Sequence, residues 1–294
     1  MSKIKGIYAA SMSLFNTDLS LNIKKTLEHM EKVINQGCHG VVLFGSTGQA
    51  QLIPVNEKIS LLNELSKSPY KDKCIIGTGL NSLGETINLM KVATSLNFND
   101  FLLMPPAYYK YGDKEVIEFY SRVVEAVPSS KIILYNFEKL CGYKFSIECV
   151  EELVKKYPKQ IVGVKDSSYN LYEYLKIDNF SVLPGSESKL LKGLELGCAG
   201  IITATCNVTG GLSRNVYDNF IEKKKQTTNE MLCNVRNAFE KFNLISGLHS
   251  FMSEEDESYK NVLPPISLLS EGDKEQLIKD LNKLNFKLGS LEAA

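Results

Sequence analysis

The sequence carries no excess of charge of either sign. Its 294 residues hold 34 Lys and Arg against 34 Asp and Glu. A nucleic-acid surface needs clustered positive charge, so no such partner is expected. Long hydrophobic runs are also missing. No segment approaches the roughly 18 apolar residues of a transmembrane helix, and the apolar stretch after Lys3 and Lys5 is too short for a secretory leader. The seven cysteines are scattered, odd in number and without a C-x-x-C pair. That spacing reads as reduced thiols in a cytoplasmic protein, not as a disulfide framework or a zinc site. Only three histidines occur, His29, His39 and His249, none at metal-ligand spacing, so no metal is expected. The longest acidic run, "SEEDES" (253–258), reads as a solvated loop.

Short apolar runs, by contrast, recur along the chain. They fall at 4–15, 40–48, 74–79, 100–106, 131–136, 161–168, 180–187 and 200–207. Near-continuous apolarity of this length marks strands of a parallel sheet covered on both faces. Helical patterns lie between them. Ile23, Leu27, Met30 and Ile34 form a stripe that Gly37 stops. Ser82 and Glu85 form a capping box. Val116, Tyr120, Val123 and Val127 give another stripe; Ile147, Val150, Val154 and Tyr157 follow Ser146 as cap. Leu190, Leu191 and Leu194 precede Gly197. The stretch between the sixth and seventh runs has the weakest helical pattern. Eight such units in about 220 residues predict a (β/α)8 TIM barrel, with a doubly wound sheet as the alternative. Residues 1–224 are read as the barrel and 225–294 as a helical extension, whose last helix carries Leu277, Ile278, Leu281 and Leu284.

In such a barrel the reactive groups lie at the C-terminal strand ends. "GSTG" (45–48), "PPAYY" (105–109), "YN" (135–136) and Lys165 all fall there. Lys165 follows the apolar run Ile161-Val162-Gly163-Val164 directly. A lysine amine can attack a ketone and form a Schiff base once desolvation has disfavoured its ammonium form. A nearby tyrosine can shuttle the protons that this chemistry moves. Each residue also has a plainer reading. A strand-end lysine is commonly a solvated charge, Tyr135 a core residue with its hydroxyl at the rim, and "GSTG" a tight turn or an anion nest. Their coincidence on one face carries the argument.

Together "GSTGQA", "PPAYY", "YN…G", "GVKDSS", "GSES" and "LELGCAGIITATCNV" resemble the dihydrodipicolinate synthase / N-acetylneuraminate lyase family of pyruvate-dependent class I aldolases, over residues 1 to about 220 and more loosely beyond. The resemblance implies that Lys165 forms the imine with pyruvate or a 2-keto acid, with no other cofactor. Tyr135 would be the proton shuttle, linked by Thr47 to Tyr108 of a neighbouring subunit, with Tyr109 as the alternative. The Ser46 and Thr47 amides would hold the keto-acid carboxylate. Leu140, Ser167, Gly185, Glu187 and Ile202 would line the substrate site, and the assembly would be a homotetramer built as a dimer of dimers.

Two departures bear on substrate. Dihydrodipicolinate-forming members carry an arginine where this chain has Leu140 in "YNFEKLCG", and Glu138 replaces a proline there. Losing that fork disfavours a carboxylate-tailed substrate, although Lys139 is at hand. Sialic acid lyases have two adjacent acids where "GSES" offers Glu187 and then Ser188. The expectation is cleavage of a shorter 2-keto-3-deoxy sugar acid. The alternatives are dihydrodipicolinate synthase, N-acetylneuraminate lyase, a phosphate-binding barrel isomerase and a non-catalytic pyruvate sensor.

Overall fold

A computed structural model describes residues 4–287. Lys3 and the end of the extension, residues 288–294, lie outside the described residues. Eight parallel strands order β7-β6-β5-β4-β3-β2-β1-β8. They are β1 (Gly6–Ala10), β2 (Gly40–Leu43), β3 (Cys74–Gly77), β4 (Asp100–Leu103), β5 (Lys131–Asn136), β6 (Ile161–Asp166), β7 (Ser181–Pro184) and β8 (Gly200–Thr203). The Ala199 amide donates to the Val182 carbonyl (2.9 Å) across the last seam, so the sheet is a nearly closed barrel. Side chains alternate as the strand period requires. On β5, Ile133 and Tyr135 face the barrel interior with Val42, Leu102 and Leu183, whereas Ile132 and Leu134 join the larger core beneath the helices.

The outer layer comprises α1 (Ile23–Asn35), α2 (Val55–Leu65), α3 (Leu83–Ser95), α4 (Asp113–Ala126), the single turn α5 (Glu138–Cys141), α6 (Ile147–Lys156), α7 (Leu190–Glu195) and α8 (Cys206–Ile221). The helix starts follow local chemistry: the Ser82 and Ser146 hydroxyls accept from the Glu85 and Cys149 amides. Two expectations are corrected. Helix α6 buries Cys149, Val150 and Leu153, so its inward face is rotated from the expected stripe. Between β6 and β7 no helix forms. There the buried Asp166 carboxylate accepts from the amides of Tyr169, Leu171 and Tyr172 (2.9 Å each), and these bonds coil the chain instead.

Helices α9 (Asn229–Glu240), α10 (Leu244–Met252) and α11 (Glu271–Lys283) follow the barrel and pack back onto it. Two buried histidines tie them down. His29 of α1 bridges the Tyr259 hydroxyl and Asn207 Oδ1, each at 2.7 Å. The Asn207 amide nitrogen donates to the Ala10 carbonyl, so its Oδ1 is an acceptor and His29 Nε2 must carry the proton. His249 Nδ1 donates to the Tyr259 carbonyl (2.9 Å), and its Nε2 accepts from the Gln49 amide (3.2 Å). Both imidazoles are therefore held neutral, and burial pushes each pKa down from 6.5 to about 4. The unfolded chain takes up these protons near pH 6.5 while the folded chain resists to about pH 4. Stability is thus full above the unfolded value and is lost as pH falls through this window, by roughly 3 kcal/mol per histidine. Thermal melts between pH 7 and 4 should show this loss, and His249→Gln should flatten the slope; an unchanged slope would contradict the assignment.

Candidate active site

Parallel pairing of β5 with β6 sets Tyr135 beside Lys165 and Asn136 beside Asp166. Adjacent residues of a strand point to opposite faces, so the two pairs separate. Tyr135 and Lys165 turn into the barrel mouth, where Lys165 is 3% exposed and its Nζ lies 4.2 Å from the Tyr135 ring centroid. Asn136 and Asp166 turn into the wall. The Asn136 amide nitrogen donates to Asp166 Oδ1 and Asn170 Oδ1 (2.8 Å each), while its Oδ1 accepts from the Phe145 amide (3.1 Å). The Tyr135–Lys165 pair therefore rests on a fully buried polar pair whose groups are satisfied.

The turn after β2 approaches from the other side. Ser46 Oγ and the Tyr135 hydroxyl are 3.0 Å apart. Among the described residues, the Ser46 and Thr47 amides have no backbone acceptor. They are free donors of the kind that binds a carboxylate. Phe44 and Gln49 flank the turn at φ 55°, a left-handed conformation that costs free energy unless the surroundings enforce it. Gln49 is enforced from the extension: its Oε1 accepts from the Leu263 amide (2.7 Å) while its amide donates to His249. Gly48 is required here because a Cβ would meet the Ser11 carbonyl oxygen at 2.8 Å. At Gly185 a Cβ would meet Ser167 Oγ at 2.2 Å, which fixes a second motif glycine.

These groups share one cavity of about 770 Å³, whose walls include Ser46, Thr47, Tyr135, Lys165, Ser167 and Gly185. An adjoining cavity of about 260 Å³, mostly apolar, is walled by Phe44, Ala50, Leu52, Leu102 and Met104 and reaches Ser46, Tyr135 and Leu140. A second buried lysine makes a useful contrast. Lys58 of α2 is fully buried, and burial pushes its pKa down to about 7. Its Nζ donates to the Thr78 carbonyl (2.8 Å), however, and it lines neither cavity.

The sequence model of the Dihydrodipicolinate synthetase family matches residues 3–284. The chain belongs to that family. It is 31% identical to the N-acetylneuraminate lyase of Pasteurella multocida over 225 residues, 74% of this chain and 75% of that protein. It is 27% identical to the 4-hydroxy-tetrahydrodipicolinate synthase of Methanopyrus kandleri over 293 residues, 96% and 97% of the two chains. The fold superposes on the 4-hydroxy-tetrahydrodipicolinate synthase of Methylacidiphilum fumariolicum with a TM-score of 0.88 at 24% identity, covering 96% of each chain.

Within this family member, the structure gathers Lys165, Tyr135, Ser46, Thr47, Leu140, Ser167 and Gly185 around one cavity. Three other expected site residues lie elsewhere. Ile202 is buried inside the barrel with Ala10 and Ile133 and does not reach the cavity. Tyr108, at φ 89°, is 90% exposed and meets Tyr109 edge-to-face (5.1 Å), away from this chain's own cavity. Tyr111, further along that loop and not among the expected site residues, turns inward and packs on Tyr143 (5.6 Å).

Glu187 is the clearest correction. It is 0% exposed, and all its acceptor capacity is engaged. Oε1 accepts from the Thr205 and Thr209 hydroxyls, and Oε2 from Thr203 (2.8 Å) and from Arg236 Nη1 (3.1 Å). A saturated carboxylate beneath the cavity wall has no capacity left for substrate hydroxyls. Arg236, on α9, is the residue that sequence reasoning missed. The one available signal was its place among Leu232, Val235 and Phe239, the buried face of its helix, where an unpaired charge would be costly.

Proposed function

We propose that this chain is a metal-independent class I aldolase that cleaves a 2-keto-3-deoxy sugar acid reversibly to pyruvate and an aldehyde. The reading is carried by the placement of Lys165 and Tyr135 side by side in one cavity. The Lys165 amine attacks the C2 ketone, and the Tyr135 hydroxyl protonates the departing water; the resulting iminium draws in the C3–C4 bonding pair. The Tyr135 oxygen takes the proton of the C4 hydroxyl as the C3–C4 bond breaks and the aldehyde departs. The remaining enamine is protonated at C3, and water then releases pyruvate and the free amine. The Ser46 and Thr47 amides hold the substrate carboxylate throughout.

The tail preference follows from Leu140. It offers an apolar surface where the cavity would need a guanidinium to hold a second carboxylate. Pyruvate release from neutral-tailed 2-keto-3-deoxy acids should exceed pyruvate consumption with aspartate semialdehyde in kcat/KM by about tenfold or more. The reverse ranking would restore the biosynthetic reading.

We further propose that a second copy of the chain completes the site. The loop after β4 is pinned at its base: the Ala107 amide donates to Asn81 Oδ1 (2.9 Å), and the Tyr111 hydroxyl donates to the Pro106 carbonyl. Tyr108 and Tyr109 therefore project outward, and the apolar cavity beside Ser46 and Tyr135 is of a character to receive such a ring. The relay would pass from Tyr135 through Ser46 rather than Thr47. Tyr108→Phe should slow turnover about a hundredfold. Mixing Tyr108→Phe with Lys165→Ala chains should restore activity once mass spectrometry confirms subunit exchange. Confirmed exchange without recovery would place Tyr108 outside the mechanism.

A further inference from the structure

We propose that Arg236 and Glu240, both from the helical extension, form the subsite that reads the distal hydroxyls of the substrate. The inference rests on the lyase reading above and assigns the part of the site that selects among its substrates.

Both side chains line the same cavity as Lys165, together with Asn243 at the start of α10. Arg236 is almost fully buried and held from two sides. Its Nη1 donates to Glu187 Oε2 (3.1 Å) and to the Thr203 and Thr205 hydroxyls (2.9 and 3.4 Å). Its Nε and Nη2 both reach Glu240 Oε1 at 2.8 Å. The guanidinium is thus locked in one orientation by a carboxylate below it and another beside it.

The two carboxylates differ in what they have left to give. Both Glu187 oxygens are occupied, so Glu187 is a positioning residue. Both contacts to Glu240 fall on Oε1, so among the described residues Oε2 has no protein donor, on a side chain that is 44% exposed. Asn243 Oδ1 accepts the Ile245 and Ser246 amides (3.0 and 3.2 Å), which orients its amide nitrogen away from the helix as a further donor.

Charge decides what this surface suits. One guanidinium stands between two carboxylates, so the cluster has a net negative charge. A carboxylate or phosphate tail would meet repulsion from Glu240 and an Arg236 that is already paired. A hydroxyl can donate to Glu240 Oε2 and accept from Arg236 or Asn243 in the same geometry. The subsite therefore suits a neutral polyol tail long enough to span from the Lys165 imine to α9.

The test compares kcat/KM for a six-carbon 2-keto-3-deoxy acid, which carries distal hydroxyls, with that for 4-hydroxy-2-ketobutanoate, which has none. Glu240→Ala removes the free acceptor at a partly exposed helix end. Arg236→Lys keeps the charge beside Glu187 but loses the fork. Each should lower the long-to-short ratio about tenfold, mainly through KM of the long substrate. Folded variants that cleave both substrates at the wild-type ratio would overturn the assignment. A wild-type protein that releases pyruvate from neither substrate would instead overturn the lyase reading, and this inference with it.

Discussion

The register between β5 and β6 is the constraint on which the rest of the site depends. It places Tyr135 against Lys165 on the inner face and Asn136 against Asp166 in the wall. A slip of one residue would exchange the faces, burying the amine among the wall contacts and turning the carboxylate into the cavity. The Asp166 carboxylate opposes such a slip. It holds Asn136 on the neighbouring strand and three amides of the following segment, all from a fully buried position. Losing that carboxylate would leave several buried donors unpaired at once, each costing about 1–3 kcal/mol. A polar pair inside the barrel wall thus specifies where Tyr135 and Lys165 sit.

The extension supplies the other half of the cavity's order. Gln49 is held in its left-handed conformation through His249 and Leu263, so the turn carrying Ser46 and Thr47 is shaped from α10 and the segment after it. Arg236 enters from α9 and takes up the one carboxylate that the seventh strand end presents. Folding of the barrel and docking of the extension are therefore coupled to the geometry of a single cavity. The neutral state of His29 and His249 makes that docking sensitive to acid.

Much of this was legible in the sequence because strands of a parallel barrel are apolar and short, and their ends are marked by residues that break the pattern. Lys165 and Tyr135 stood out for that reason, as did the glycines at 48 and 185, where a Cβ would meet the Ser11 carbonyl and the Ser167 side chain. What was not legible depended on contacts between distant segments. Nothing near "GSES" indicates that three threonines from the eighth strand end and α8, with an arginine from α9, saturate Glu187. Nor does "NLYEYLKI" (170–177) show that Asp166 caps its amides and so replaces the helix that periodicity left faint. Nor does "AYYKY" (107–111) show that Tyr111 packs on Tyr143 while Tyr108 and Tyr109 stay exposed.

Burial alone would nominate Lys58 as the neutral amine, since desolvation pushes its pKa to about 7; geometry nominates Lys165, which lines the cavity beside Tyr135. The measurement that separates them is borohydride reduction in the presence of pyruvate, followed by intact mass and peptide mapping. The account predicts one reduced pyruvate unit per chain, located on Lys165 and absent in Lys165→Ala. An adduct on Lys58 or any other lysine, or no adduct from a folded protein, would contradict it.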